Sequence, residues 1–166
     1  LANLEAHAQK MDRIGTKLCQ ATLTDECVNG TFFAPRAYQI DNLGMLEQEV
    51  FGPVAHIITY GSNRLDEVID AVNNSGYGLT LGIHTRVDAT RRYIQERLRV
   101  GNAYVNRNMI GAVVGVQPFG GEGLSGTGPK AGGPRYLHRF ATERTLSLNT
   151  TASGGNAALM SLAEED

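Results

Sequence analysis

The sequence predicts an α/β fold, and three observations support this prediction. Residues 54–60 and 79–85 are near-continuous apolar runs, as expected of strands that are buried in a parallel sheet. Residues 65–72 and 89–98 each carry an apolar stripe at helical spacing. With a short strand predicted at residues 103–106, the element order is β-α-β-α-β, which is typical of parallel strands joined by right-handed crossovers.

The N-terminal part is predicted to contain one helix and two further strands. Apolar residues at helical spacing predict an amphipathic helix over residues 3–14. Residues 17–24 have the pattern of a short strand, Asn29-Gly30 is a strong turn signal, and residues 31–40 follow as a second strand. Pro35 lies inside that run, which suggests that the strand is at a sheet edge or bends there.

Short polar segments mark the ends of the later elements. Ser62 or Asn63 can cap the helix that follows the first apolar run, and Asp88 can cap the next helix. Beyond the last predicted strand of the β-α-β-α-β unit, residues 134–139 are predicted to form a short helix. Residues 140–149 alternate in part between apolar and polar side chains and predict a terminal strand. The chain then ends in a small-polar linker, a possible short helix and an acidic tail within residues 150–166.

Composition limits the classes of function. The chain has 166 residues, 42% of them hydrophobic, which is enough for one domain with a core. A net charge of −2 gives no basic surplus for nucleic acid or an anionic membrane. No apolar run approaches the roughly 20 residues needed to span a bilayer. The start, Leu1-Ala2-Asn3, has neither Met nor a signal-peptide pattern and resembles the interior of a helix, so we expect part of a longer protein.

The cysteines and histidines do not form a recognisable metal or redox motif. Cys19 and Cys27 lack C-x-x-C spacing, and two thiols in a chain of this size suit a reducing compartment. Cys19 is expected to be buried and inert in a strand, and Cys27 lies in a turn beside two acidic residues, so we expect neither to be catalytic. No pair has a metal-ligand spacing among the four dispersed histidines, His7, His56, His84 and His138.

A glycine-rich segment is the most distinctive feature. Nine of the 20 glycines lie between Gly111 and Gly133, which together with three prolines excludes a continuous helix or central strand. Such a segment inside a domain indicates that backbone approaches a ligand, a cofactor or another chain closely. It contains G-x-G-x-x-G at residues 121–126, but Pro118 precedes the motif and Thr127-Gly128-Pro129 follows it. We therefore expect no dinucleotide-binding helix there.

Glu49 lies two residues before Phe51-Gly52-Pro53, at the start of a predicted strand. It is either a surface carboxylate beside a turn or a carboxylate that accepts hydrogen bonds from the two hydroxyl groups of a ribose.

The chain resembles the C-terminal half of the NAD(P)-dependent aldehyde dehydrogenases over most of residues 1–149. The resemblance rests on Glu49-Val50-Phe51-Gly52-Pro53, Asn106, Pro118-Phe119-Gly120-Gly121 and Ser125-Gly126, in this order and at these separations. Within that superfamily, the extended loop at residues 120–134 is similar to that of the bacterial bifunctional proline utilization A flavoenzymes. Their C-terminal half oxidises L-glutamate γ-semialdehyde to L-glutamate with NAD+.

This resemblance implies roles for five residues. Glu49 would bind the nicotinamide ribose and Phe51 would lie beside the nicotinamide. Backbone N–H groups of the loop at Gly111 and Ala112 would hold the α-carboxylate of the substrate, since adjacent N–H groups in a glycine-containing turn form an anion-binding concavity. Phe119 would pack on the aliphatic part of the aldehyde.

The resemblance also implies an organisation. Residues 1–139 would form part of the three-layer, parallel-sheet catalytic lobe, residues 140–149 an oligomerisation strand, and residues 150–166 a linker and tail. The cofactor would be NAD, with FAD in a separate proline dehydrogenase domain of the parent. The implied partners are a small-molecule substrate, the upstream half of the same enzyme and further copies of the chain. The implied location is the bacterial cytoplasm, with peripheral attachment of the parent to the inner membrane left open.

The family's nucleophilic cysteine, general-base glutamate, oxyanion-hole asparagine and Rossmann domain all lie upstream of the matching region. We therefore expect no catalytic residue in this chain and no activity from it alone. Two alternatives remain open: an aldehyde dehydrogenase of other substrate preference, and a non-catalytic assembly or binding module that retains the fold.

Overall fold

The computed structural model describes residues 1–111, 113–126 and 128–149 and shows a mixed α/β fold, which confirms the predicted class. Three α-helices are α1 (Ala2–Ile14), α2 (Leu65–Asn74) and α3 (Asp88–Arg97). The strands are β1 (Thr16–Gln20), β2 (Arg36–Gln39), β3 (Val54–Ile57), β4 (Tyr77–Gly78), β5 (Thr80–Ile83), β6 (Asn102–Val105) and β7 (Glu122–Gly123). Short 3-10 turns lie at Asp25–Asn29, Leu43–Met45 and Leu137–Phe140.

The first sheet has the order β1-β2-β3, with β1 antiparallel and β3 parallel to β2. Helix α1 contributes to the core beside this sheet: Met11 and Tyr38 are fully buried, and Ile40 joins them. The Tyr38 hydroxyl donates to Asp12 Oδ1 at 2.9 Å, which ties the central strand to α1. Burial of one large side chain from each element therefore holds the helix and the sheet together.

Pro35 was predicted to mark a sheet edge or a bend, and the edge alternative is wrong, because β2 is the central strand of this sheet. Pro35 immediately precedes Arg36, the first residue of β2, so its missing N–H lies outside the strand. Its carbonyl oxygen still accepts the Ala21 N–H at 2.8 Å.

The two long apolar runs do not belong to one sheet. Strand β3 pairs with β2 in the first sheet. Strand β5 instead pairs in parallel with β6 in a separate two-stranded sheet, and α3 connects β5 to β6 along the chain. β3 is also shorter and less buried than predicted, since Ala55 and Ile57 are exposed. An apolar run predicts that a strand is buried, but it does not identify the neighbouring strand in the sheet.

The C-terminal described residues form little regular structure. The helix predicted at residues 134–139 is replaced by turns and the 3-10 turn Leu137–Phe140, and residues 141–149 form no strand within the described chain. Leu146 and Leu148 are exposed, at 78% and 67%. The predicted oligomerisation strand stays a prediction, because its partner strand would belong to another subunit. The linker, short helix and tail predicted within residues 150–166 lie outside the described residues.

Among the described helices, the longest has 13 residues and none is long and apolar enough to cross a membrane.

Candidate cofactor and substrate sites

Glu49 and Phe51 lie in the same groove, between the N-terminal half of α1 and the loop that leads to β3. The groove encloses about 690 Å³ and is also lined by His7, Lys10 and Glu47. Glu49 is exposed, and the Phe51 ring is 91% exposed. An accessible carboxylate and an unpacked aromatic ring are both free to contact a ligand, as the resemblance requires.

Gly52 lets the loop after Phe51 close against α1. A Cβ atom at Gly52 would overlap the side chain of Leu4. Lys10 of the same helix forms an ion pair of 3.0 Å with Glu47 in the loop. One steric contact and one ion pair therefore position the segment that carries Glu49.

His7 and His56 form a pair that sequence spacing did not reveal. Their Nε2 atoms are 3.0 Å apart, and their rings meet edge to face with centroids 5.1 Å apart. Burial lowers the pKa of His7, and Lys10 lowers it further. Burial likewise lowers the pKa of His56, with a smaller effect from His7. The pair is thus favoured as two neutral imidazoles, one donating and one accepting, which link α1 to β3.

No group of three or more metal-binding side chains occurs in residues 1–111, 113–126 and 128–149. His7 and His56 contact each other through a hydrogen bond between their Nε2 atoms.

Gly111 lies in an exposed turn with φ of +107°, a conformation that L residues rarely adopt. Its carbonyl oxygen accepts a hydrogen bond of 3.1 Å from the Tyr104 hydroxyl. Ala112, the second residue predicted to contribute to the carboxylate anchor, lies outside the described residues.

Gly111 and Phe119 flank one tight turn. Val113 and Gln117 form an antiparallel bridge, in which the Gln117 N–H donates to the Val113 carbonyl at 2.7 Å. Phe119 is held by reciprocal backbone hydrogen bonds with Ala131 of 3.0 and 2.8 Å, and its side chain is 38% exposed. The structure thus places the two described residues of the predicted substrate site on the two sides of the same turn.

A polar network behind this turn was not predicted from the sequence. Asn102 Nδ2 donates to the Tyr104 hydroxyl at 3.2 Å and to the Pro118 carbonyl at 3.0 Å. Lys130 Nζ donates to Asn102 Oδ1 at 3.1 Å and also to the Gly101 carbonyl. Asn102 and Tyr104 are 8% and 6% exposed. The available signal was the alternation of Asn102 and Tyr104 on one face of β6, but the predicted strand began only at residue 103.

Asn106 ends β6 in the left-handed region, with φ of +52°. Its side chain accepts the Thr85 N–H and donates to the Thr85 carbonyl, each at 3.0 Å. Asparagine tolerates this conformation when its short side chain bonds backbone locally. The two parallel strands β5 and β6 are thereby tied together where both end.

The glycine-rich segment packs against the backbone of its own chain. A Cβ atom on Gly101 would overlap the Gly120 carbonyl oxygen, and one on Gly121 would lie 2.8 Å from the Gly78 carbonyl oxygen. β7 pairs with β4, and the Gly78 N–H donates to Ser125 Oγ at 3.1 Å. The close approach predicted from the sequence is therefore present, but here the approaching group is backbone of the same chain.

Turns and bends follow the G-x-G-x-x-G motif in the described residues 128–136, where a dinucleotide-binding loop would require a helix. This agrees with the expectation that no dinucleotide-binding helix follows the motif in these residues.

The prediction that Cys19 is buried is wrong. All five residues of β1 are exposed, and the free thiol of Cys19 lies on this edge strand. The apolar character of the run indicated burial, but an edge strand with an uncovered face does not provide it. Cys27 is half-buried in the 3-10 turn, with its sulfur 4.0 Å from Thr24 Oγ1. Neither thiol lines the groove that contains Glu49.

The predicted site residues form two clusters. The groove that contains Glu49 and Phe51 includes neither Gly111 nor Phe119 among its lining residues. The structure brings each pair together but does not bring the two pairs into one cavity.

Comparisons with known proteins show the family to which the chain belongs. Residues 1–146 match the aldehyde dehydrogenase family. The bifunctional protein PutA of Salmonella typhimurium is 52% identical over 162 residues, which are 94% of this chain and 12% of that protein. A solved structure of proline utilization A with proline bound in remote sites superimposes with a TM-score of 0.83 at 50% identity, covering 91% of this chain and 15% of that chain.

The 1-pyrroline-5-carboxylate dehydrogenase from Thermus, solved with bound NAD, superimposes with a TM-score of 0.73 at 31% identity. This superposition covers 84% of the present chain and 27% of the Thermus chain. The chain thus spans only a small part of the length of the relatives that it matches.

Proposed function

We propose that this chain supplies part of the cofactor and substrate sites of an NAD+-dependent dehydrogenase. The basis is that the chain belongs to the aldehyde dehydrogenase family. In this proposal the full-length enzyme oxidises L-glutamate γ-semialdehyde to L-glutamate. The observation that carries the proposal is the 52% identity to PutA over 94% of the chain. The placement of Gly111 and Phe119 on one turn supports it.

Glu49 and Phe51 are proposed to hold the nicotinamide end of the cofactor. The exposed carboxylate can accept hydrogen bonds from two ribose hydroxyl groups, and the exposed ring offers a flat apolar surface to the nicotinamide. These two residues would hold NAD+, which would supply the hydride acceptor for the oxidation. The contribution of this chain is to orient that acceptor, which lowers the entropic part of the barrier.

Gly111 and Ala112 are proposed to anchor the substrate α-carboxylate through backbone N–H groups, with Phe119 covering the aliphatic carbons. The positive φ of Gly111 supports this role, since turns of this kind orient successive N–H groups toward one point. Backbone donors bind a carboxylate without a charged side chain. This suits a site that must also release L-glutamate.

The covalent chemistry is proposed to come from residues outside this chain. Cys19 is on an exposed edge strand and Cys27 is in a 3-10 turn, and neither lines the groove with Glu49. We therefore expect that the 166-residue chain alone does not form NADH. By resemblance, we propose that the full-length protein binds FAD in a separate proline dehydrogenase domain. We also propose that residues 140–149 lie at an interface between subunits and that the protein is located in the cytoplasm.

The test is NADH formation by the full-length protein with L-glutamate γ-semialdehyde, compared with an unsubstituted aliphatic aldehyde such as propanal. The proposal predicts a clear preference for the semialdehyde. Equal kcat/KM for both aldehydes would favour a dehydrogenase of other substrate preference, and no NADH from either would favour a non-catalytic module.

A further inference from the structure

A continuous hydrogen-bonded path runs from Lys130 through Asn102 and Tyr104 to the backbone of Gly111. We propose that Tyr104, Asn102 and Lys130 are positioning residues that hold the substrate-binding turn in shape and so set the preference for an aldehyde that carries a carboxylate. This inference rests on the proposed function, because it takes the turn at Gly111 as the carboxylate anchor.

Tyr104 acts directly on that turn. Its hydroxyl donates to the Gly111 carbonyl at 3.1 Å from a ring that is only 6% exposed. The bond restrains the carbonyl group of Gly111 and therefore the backbone conformation of this glycine. Gly111 belongs to the proposed anchor. A buried hydroxyl on a β-strand is a rigid support for an otherwise exposed turn.

Asn102 connects both sides of the turn to β6. Its Nδ2 atom carries two hydrogens, and both are used: one toward the Tyr104 hydroxyl and one toward the Pro118 carbonyl. Pro118 directly precedes Phe119, so one amide supports the Gly111 side through Tyr104 and the Phe119 side through backbone. Accepting from Asn102 also polarises the Tyr104 hydroxyl, which strengthens its donation to Gly111.

Lys130 sets the orientation of Asn102. An ammonium group can only donate, so the Asn102 atom that faces Lys130 Nζ at 3.1 Å must be the amide oxygen. The amide nitrogen is then directed toward Tyr104 and Pro118. Lys130 also donates to the Gly101 carbonyl, and it neighbours Ala131, which bonds Phe119. The three residues therefore form one ordered support behind the turn.

The test uses the full-length protein and two aldehydes, one with and one without a carboxylate. Tyr104→Phe removes the hydroxyl and keeps the ring. We expect KM for L-glutamate γ-semialdehyde to rise about tenfold, as for the loss of one hydrogen bond to a buried group, with kcat within about twofold. We expect kcat/KM for propanal to stay within about twofold, since propanal has no carboxylate to anchor.

A matched control is Tyr93→Phe, which also removes a tyrosine hydroxyl that bonds a neighbouring element, here Asp66. This substitution should leave kcat/KM unchanged for both aldehydes. Asn102→Asp keeps the acceptor for Lys130 but loses both donors, and Lys130→Met removes the ammonium at similar length. Both substitutions should lower the ratio of kcat/KM for the semialdehyde to that for propanal, as Tyr104→Phe does.

Two results overturn the inference if the wild-type protein prefers the semialdehyde. Either these variants leave that preference intact, or they lower kcat/KM equally for both aldehydes. If Tyr104→Phe does not fold, Asn102→Asp and Lys130→Met decide by the same ratio. A wild-type protein without any preference would instead overturn the proposed function, so the two failures are distinguishable.

Discussion

Gly101 and Gly120 meet backbone to backbone, so closely that a Cβ atom on Gly101 would overlap the Gly120 carbonyl oxygen. The strand β6 begins directly after Gly101, and Gly120 directly follows Phe119. This contact therefore joins the strand that bears Tyr104 to the segment that bears the proposed substrate site. Glycine is required at Gly101 because neighbouring backbone occupies the space of any side chain.

Gly101→Ala should destabilise the protein. The overlapping atom is a carbonyl oxygen of the backbone and cannot rotate away, so we expect a loss of about 3 kcal/mol or more in the free energy of unfolding. Urea-induced unfolding measures this loss. Gly44→Ala is the control, because its new methyl would meet only the end of the Asn42 side chain. A Gly101→Ala protein as stable as Gly44→Ala would show that the two segments are not in contact.

Gly111→Ala should impair substrate binding through the backbone. Apart from its two chain neighbours, no described residue has an atom within 4 Å of the added Cβ, so the expected effect comes from the φ of +107° and not from a clash. Such a conformation costs a non-glycine residue about 1–3 kcal/mol. The turn should relax, and KM for L-glutamate γ-semialdehyde should rise while KM for propanal stays constant. Unchanged KM for the semialdehyde would remove Gly111 from the anchor.

Glu49→Gln should weaken cofactor binding. The neutral amide keeps one acceptor oxygen but loses the charge and the second acceptor, so KM for NAD+ should rise about tenfold. Glu47→Gln is a close control, because Glu47 lines the same groove but bonds Lys10. It should change KM for NAD+ less than about twofold, as expected of an exposed ion pair. Equal effects of both substitutions would mean that Glu49 is an ordinary surface carboxylate.

The His7–His56 pair should make the protein less stable as the pH falls. Burial lowers the pKa of both imidazoles in the folded state, whereas in the unfolded chain each titrates near 6.5. Below about pH 6.5 the unfolded chain therefore binds more protons than the folded one, and the free energy of unfolding decreases. Above that pH both states are neutral at these positions, and the contribution is constant.

His56→Gln should reduce this dependence. Glutamine can still hydrogen-bond His7 but cannot be protonated, so the fall in unfolding free energy between about pH 7 and pH 5 should be smaller than in the wild type. Nearby charges from Lys10 and Glu47 are unchanged by this substitution. The same slope in His56→Gln and wild type would refute a role for the pair.

Local pattern was sufficient for much of the fold. The spacing of apolar residues located the three α-helices of the described residues, and turn signals separated β1 from β2. What it could not give was the pairing of strands, because β3 and β5 carry the same kind of apolar run but belong to different sheets. Exposure of Cys19 was missed for a related reason, since burial of an edge strand depends on what covers it.

Residue identity was sufficient to propose the candidate sites but not to find the contacts around them. Glu49, Phe51, Gly111 and Phe119 were found from short motifs that carry a resemblance. The pair His7 and His56 and the link from Lys130 to Asn102 join residues 49 and 28 positions apart. Such contacts follow from the tertiary fold and leave no spacing to detect. The glycine-rich segment was recognised as a close approach, while its partner, backbone near Gly78 and Gly101, required coordinates.

The most direct test of the account is the ratio of kcat/KM for L-glutamate γ-semialdehyde to that for propanal, measured with NAD+ on the full-length protein. Two backbone hydrogen bonds to a carboxylate are each expected to contribute about 1.5 kcal/mol or more. The account therefore predicts a ratio of roughly 100 or higher, reduced by Gly111→Ala. A ratio near one, unaffected by Gly111→Ala, would contradict the claim that this turn anchors a carboxylate.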